Sequence, residues 1–493
     1  MPGAHVHDVI VVGSEPAGLM AAGLLRRRGY RVLLVGQGGL RDQLERPEGP
    51  PLPLLPRFLP RREQAPALDA VLDVLGLEDP VHPLGRGGDT RLQIVTPEQR
   101  VDLFVERERL TAELERTVPE QKQAFLAGLD ELERLDAGID QRLERDAPLP
   151  PHGLRERLRL RRAEPDWEGW TPWPGGVPEG WPPLLQTVAR ATAFACGLDL
   201  EHRARAASAR LMRMLLGGAR LVPGLSRRLL DAVAGAGVTV EPKMVAEQLL
   251  FEGRHIGGIQ ALRSADRHRC QLLIAALPSA EAAGLVPGAR RRPRAKLAAA
   301  ALRPQTSAFV LQLLLPRSAL PLGMSDHVLL VRDPRAPLQE DNLIQLVVLA
   351  HPERAGWVQL CAACPMAYRN HSLGREFLGP LQQRVLDAIG WLVPFFQQHG
   401  DEQISPFWSE RSSDPGHPSP WSLQRTVEPL APPLLGLGVL PLQSPLRGLL
   451  LCGAETIPGL GIEGQARAAA RCTEWISDAL RLKHTLDKSR PAT

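Results

Sequence analysis

Two glycine-rich segments near opposite ends of the chain hold the residue types best suited to chemistry. The first is Gly13-Ser14-Glu15-Pro16-Ala17-Gly18. It follows an apolar run at 8–12, which reads as a buried parallel strand, and precedes a stretch of helical periodicity at 19–28. A G-x-x-x-x-G between strand and helix is a dinucleotide-binding signature. Its first glycine permits the tight turn, its last lets helix and strand pack closely, and the helix N-terminus presents unpaired N–H groups to phosphates. Two positions depart from the pattern. Glu15 stands where a middle glycine would let backbone approach the pyrophosphate. Gly36, followed by Gln37, stands after the second strand (30–35), where an acid would bind ribose hydroxyls. A carboxylate about 5 Å from a phosphate charge costs about 3 kcal/mol at an effective dielectric near 20. The lost ribose contact costs roughly 1.5–3 kcal/mol more. Unless Glu15 turns to solvent, dinucleotide affinity falls by roughly three orders of magnitude. Glycine at 15 together with an acid at 36 is expected to restore it.

The second segment follows an apolar strand at 449–452. Gly453 opens a loop containing Glu455, Thr456, Pro458, Gly459, Gly461 and Ile462, and a helix runs from about 465 to 482. Here Gly453, Thr456, Pro458, Gly459, Gly461, Ile462 and Gly464 match the pattern G-x-x-T-x-P-G-x-G-I-x-G. This resembles the phytoene desaturase-like flavoproteins within the larger amine oxidase group. The stretch from Gly217 to Gln260 and the segment around Pro278 resemble the same family, so the likeness covers most of the chain. It is weakest at 37–66 and 145–183.

The resemblance implies an α/β protein: a Rossmann-like FAD-binding domain built from both chain ends, plus a mixed-sheet and helical substrate domain. The FAD-binding domain would comprise 1–66, 217–290 and 446–493, and the substrate domain 67–216 and 291–445. The implied cofactor is FAD, held by Gly13, Ser14, Glu15, Pro16, Ala17, Gly18, Gly36, Gln37, Val245, Gly453, Glu455, Thr456, Gly459, Gly461 and Ile462. The backbone of Val245 would contact adenine. Gly459 and Gly461 would let the loop lie against the flavin without an intervening Cβ, so Gly461→Val is expected to expel flavin and leave the fold largely intact. The implied reaction is hydride transfer at the flavin to or from a large apolar substrate of polyene, carotenoid or retinoid type. The rival reading is a non-catalytic relative that keeps the fold to bind a lipid, a prenyl group or a protein partner.

No catalytic side chain stands out, which suits chemistry carried by a cofactor. No metal-ligand set is present, and nothing points to nucleic acid. The formal charge of +4 is small against 59 basic and 55 acidic residues. Six scattered cysteines suggest no disulfide framework, and no leader or transmembrane run is evident, so a reducing cytoplasm is expected. Cys361 and Cys364 form a C-x-x-C inside a predicted strand, where their side chains would point to opposite faces. Trp167, Trp170, Trp173 and Trp181 lie in a Pro/Gly-rich stretch, which would either pack on the helical region or line an apolar entrance. The basic runs 155–162 and 290–296 would be solvated faces or peripheral contacts with anionic lipid. Residues 37–66, rich in Pro, Gly and Arg, read as a long surface loop.

Overall fold

The computed structural model describes residues 5–44, 52–54, 57–77, 91–146, 149–151, 153–163, 166–217, 219–263, 266–288, 291, 295, 297, 302–400, 402–408 and 423–488. Most of the basic run 290–296 lies outside them. The chain starts with strand β1 (His5–Val12), helix α1 (Pro16–Arg27) and strand β2 (Val32–Val35). Val9–Val12 and Val32–Val35 are all buried, because a parallel strand covered on both faces must be apolar throughout. Gly29, at φ +90°, ends α1 in the left-handed conformation glycine adopts without strain.

The sheet continues with β3 (Thr239–Glu241), β4 (Ala246–Glu252), β5 (His255–Ala261), β6 (Arg267–Ala275) and β7 (Leu449–Leu451). Among the described residues it has seven strands in the order β4-β5-β6-β1-β2-β3, with β7 also on β6. Residues 267–269 of β6 pair antiparallel with β5, and residues 273–275 pair parallel with β7. Thus β6 lies between β1 and β7, and the strands feeding both glycine-rich turns are parallel near neighbours.

A second sheet is eight-stranded among the described residues, in the order 402–404, 303–316, 357–367, 343–350, 327–331, 91–95, 100–104, with 426–428 on strand 303–316. Its pairs are antiparallel except 327–331 with 91–95. Cys361 and Cys364 lie on Trp357–Ala367 and pack into two different apolar clusters, one on each face of the sheet. Burial pushes the Cys361 thiol up to about 12, and Cys364 shifts upward for the same reason. Both are structural apolar side chains. Trp170, Trp173 and Trp181 are buried, and Trp173 packs edge-on against Trp181 with ring centroids 4.9 Å apart. This stretch is therefore packed loop. No helix among the described residues is long and apolar enough to cross a membrane.

Three helices are tied together by a buried ionic cluster: α2 (Pro119–Ala137), α3 (Arg205–Leu216) and α4 (Gly461–Lys488). Arg210 on α3 donates to Asp136 on α2 at 2.7 Å, to Asp140 at 2.7 Å, and to Glu463 on α4 at 3.2 Å. Arg213 adds a second bond to Asp136, and Arg467 reaches both Asp140 and Glu463. Burial disfavours the charged guanidinium of Arg210, but Glu463, Asp140 and Asp136 outweigh that effect and push its pKa up. Removing the central cation leaves carboxylates buried without their partner. Arg210→Met is therefore expected to lower unfolding free energy by about 3–5 kcal/mol in denaturant titration. Arg31→Met breaks only the solvent-exposed pair with Asp8 and should cost under about 1 kcal/mol.

Candidate functional site

The turns after β1 and β7 meet at one cleft that opens to solvent. Ser14, Glu15, Pro16, Glu455, Gly461 and Ile462 line it. The N-termini of α1 and α4 both face it, and each carries the partial positive charge of a helix start. Of the remaining expected positions, Gly13, Ala17, Gly18, Gly453, Thr456 and Gly459 shape the turns from behind. Gly36, Gln37 and Val245 lie near the end of β2.

Two glycines of the first turn serve packing. Gly13, at φ +109°, runs so close to the end of β6 that an added Cβ would stand 2.1 Å from the Ala276 carbonyl oxygen. A Cβ on Gly18 would meet the Ala276 side chain at 2.3 Å. In the second turn the Gly453 amide donates to the Thr456 hydroxyl at 3.2 Å, which in turn donates to the Leu451 carbonyl.

Glu15 does not turn to solvent. Its Oε2 accepts the Ala454 amide at 2.8 Å, so this carboxylate bridges the two glycine-rich turns. Desolvation raises its pKa above the ordinary carboxyl range, against the opposing pull of Arg41 and the Ala454 amide, while Glu455 and Glu281 push it further up. Arg41 is the cation that acts on it, but its guanidinium is committed to Glu281 through two hydrogen bonds, one of 3.1 Å. Glu455 accepts the Ser279 amide and hydroxyl at 2.8 Å each. The Gln465 side chain, one turn into α4, accepts the Ala17 amide at 3.3 Å.

At the end of β2 the expectation for position 36 fails. A Cβ there would lie 2.2 Å from the Pro242 carbonyl oxygen, so an acid at 36 cannot be accommodated. Gln37 instead brackets the Ala246 backbone, donating to its carbonyl at 3.1 Å and accepting its N–H at 2.9 Å. The Val245 carbonyl accepts the Leu262 amide.

Gly459 and Gly461 also depart from their expected role, since both face protein. A Cβ on Gly459 would meet Leu437 Cα at 2.9 Å, and one on Gly461 would meet the Ala195 carbonyl oxygen at 2.3 Å. Gly461 adopts φ 56°, ψ −126°, which side chains other than hydrogen rarely permit. The bare faces of both glycines are pressed against protein.

The region read as a surface loop supplies part of the cleft wall. Residues Arg57–Leu59 form a strand paired with Arg220–Val222, and Phe58 and Leu59 are buried. Arg57 and Phe58 line the cleft, and Arg57 donates to the Gln424 side chain at 2.6 Å. Arg41, Phe194 and Gln465 also line it. The i, i+3 spacing from Ile462 could have pointed to Gln465. Nothing in the sequence marks Arg57 or Phe194. Behind Phe58, the buried His327 stacks on its ring at a centroid distance of 4.6 Å, and burial pushes its pKa down to about 3. This imidazole is neutral in ordinary buffers.

A family model described as an FAD binding domain matches residues 6–47. No curated protein sequence matches the chain. Among solved structures, an oxidoreductase from Methanosarcina mazei is similar at 17% identity and TM-score 0.58, covering 95% of this chain and 100% of that one. A putrescine oxidase redesigned in its cofactor binding is similar at 14% identity and TM-score 0.60, covering 97% and 100%. Cyclohexylamine oxidase from Brevibacterium oxydans IH-35A is similar at 16% identity and TM-score 0.57, covering 96% and 99%. The chain shares the fold of these structures along nearly its whole length, and its first glycine-rich turn lies within the segment matched by the FAD binding domain model.

Two outcomes follow from this geometry. Gly461→Ala, the mildest change there, should lower stability by at least about 1–3 kcal/mol through backbone strain alone, measured by denaturant unfolding; Gly461→Val should cost more. His327 takes up a proton in the unfolded chain below about 6.5 but resists it in the fold down to about 3. Its contribution is full above that window and is lost as pH falls through it. His327→Gln should therefore flatten the acid limb of a thermal-midpoint profile.

Proposed function

We propose that the chain is an FAD-dependent oxidoreductase acting on a large apolar substrate. The observation carrying this reading is the convergence of two strand–turn–helix units on one cleft, across the neighbouring strands β1, β6 and β7. The backbone suits FAD: two helix N-termini and the Ala454 amide face the cleft, and Arg41 lends a cation. When bound, FAD would supply a hydride acceptor or donor. Arg41, the first turn of α1 and the Ala454 amide would hold its pyrophosphate, and the loop at Gly461 and Ile462 would border the ring system.

The chain's own side chains favour a neutral substrate. Phe58, Phe194, Leu423 and Val427 give the cleft an apolar wall. The charged groups of the cleft balance: Arg41, Arg57 and Arg425 stand against Glu15, Asp42 and Glu455. The support for an apolar substrate is thus the ring and methyl surface that a polyene would meet, with no net charge to attract an ionic one. His327, neutral and shielded behind Phe58, holds that ring in place by stacking and offers no proton at neutral pH.

The non-catalytic reading has one specific support: Glu15 and Gln465 already occupy backbone donors that a pyrophosphate would use. Titration with FAD, followed by flavin fluorescence, decides between the two. The enzyme reading expects saturable uptake and, under anaerobic conditions, bleaching of the flavin by polyenes but not by primary amines. Failure to take up FAD under any condition would leave the non-catalytic reading standing. Bleaching by amines alone would overturn the substrate assignment.

A further inference from the structure

We propose that Glu15 is a built-in competitor for the cofactor's phosphate, and that loading of FAD is consequently coupled to uptake of a proton. The inference rests on the FAD reading above and adds the regulation of that site.

A carboxylate and a phosphate both accept N–H donors, and one donor in this fold is the Ala454 amide, at the start of the second glycine-rich turn. Glu15 Oε2 takes that amide at 2.8 Å. The same oxygen stands 2.8 Å from where a Cβ on Gly453 would be, so it fills the space this glycine leaves bare. Glu15 starts α1 with φ −64°, ψ 148° and makes no cap bond to its own helix. Its side chain is spent on the opposite turn. A pyrophosphate approaching the same amide would face a carboxylate already in place.

Relief by a neighbouring cation is limited. From the loop after β2, Arg41 faces Glu15 but is held by Glu281, which Arg425 also approaches at 3.9 Å. From the loop after β7 comes Glu455, and from the helix after β6 comes Glu281, both of the same sign as Glu15. Asp42 and Arg57 lie elsewhere on the cleft wall and roughly offset each other in charge. A second anion can enter most readily when Glu15 is neutral. In that form its O–H can donate to a phosphate oxygen, so the competitor becomes a ligand.

The experiment measures FAD dissociation constants by fluorescence across a pH series for wild type, Glu15→Gln and Glu15→Gly. Gln keeps the shape and cannot ionise, and Gly suits the backbone angles at 15. Arg41, Glu281 and Glu455 are common to all three proteins, so the differences isolate Glu15. The wild-type affinity is expected to fall by up to about tenfold per pH unit above the titration of Glu15, the limit for one linked proton. Both variants should show a flat profile. At neutral pH Glu15→Gly should bind tighter than wild type, by at least about tenfold. Equal affinities and equal pH profiles would overturn the competitor and leave the FAD reading intact. Absence of binding in all three proteins would overturn both.

Thermal midpoints without cofactor give a second readout. The carboxyl of Glu15 is raised in the fold, so its favourable contribution is present below the ordinary pKa of 4.5 and lost as pH rises through the folded value. Glu15→Gln should therefore be more stable than wild type at neutral pH, with the advantage shrinking in acid. A constant difference across pH would also overturn the proposal.

Discussion

The buried guanidinium of Arg210 is the interaction on which the cleft depends. It draws Asp136, Asp140 and Glu463 to one point, and so fixes α2, α3 and the start of α4 relative to each other. Glu463 is the third residue of α4. Its position sets the turn at Gly461, the placement of Ile462 and, one turn on, the reach of Gln465 to the Ala17 amide. A charge cluster inside the protein thereby determines how two helix N-termini meet. An apolar group of similar volume could bind the helices as tightly, whereas the ion pairs add directional bonds from Arg210 to each carboxylate.

The glycines around the cleft extend this logic. Gly13 and Gly18 let the first turn lie on Ala276, and Gly461 and Gly459 let the last loop lie on Ala195 and Leu437. They bring backbone segments close enough for the helix ends to converge. In that setting, the identity of the side chains between the glycines becomes decisive for what can bind.

Much of this architecture was legible in the sequence. The apolar run before Gly13, the glycine ending α1 and the strand before Gly453 each follow from burial and turn chemistry acting locally. The opposed faces of Cys361 and Cys364 follow from the alternation of a strand. What was not legible depends on pairs far apart in the chain. Ala17 meets Gln465, Ala454 meets Glu15, and Arg57 meets Gln424. The Pro- and Arg-rich segment before residue 66 has the composition of a loop, so its short strand at Arg57–Leu59 shows only once Arg220–Val222 is beside it. The exclusion of an acid at 36 likewise comes from a carbonyl over two hundred residues away.

The parallel pairing of β6 with β7 has a consequence for the birth of the protein. Strand β1 pairs with β6, and β6 is completed only by Leu449–Leu451, while α1 packs against α4. On a ribosome adding about 5–20 residues per second, the apolar surface of α1 waits on the order of tens of seconds for its partner. During that interval β6 presents an unpaired edge over its last three residues, a template for association with other chains. Folding around β1 and α1 is thus timed by a segment made over four hundred residues later, and a chain truncated before β7 would carry its fault at α1.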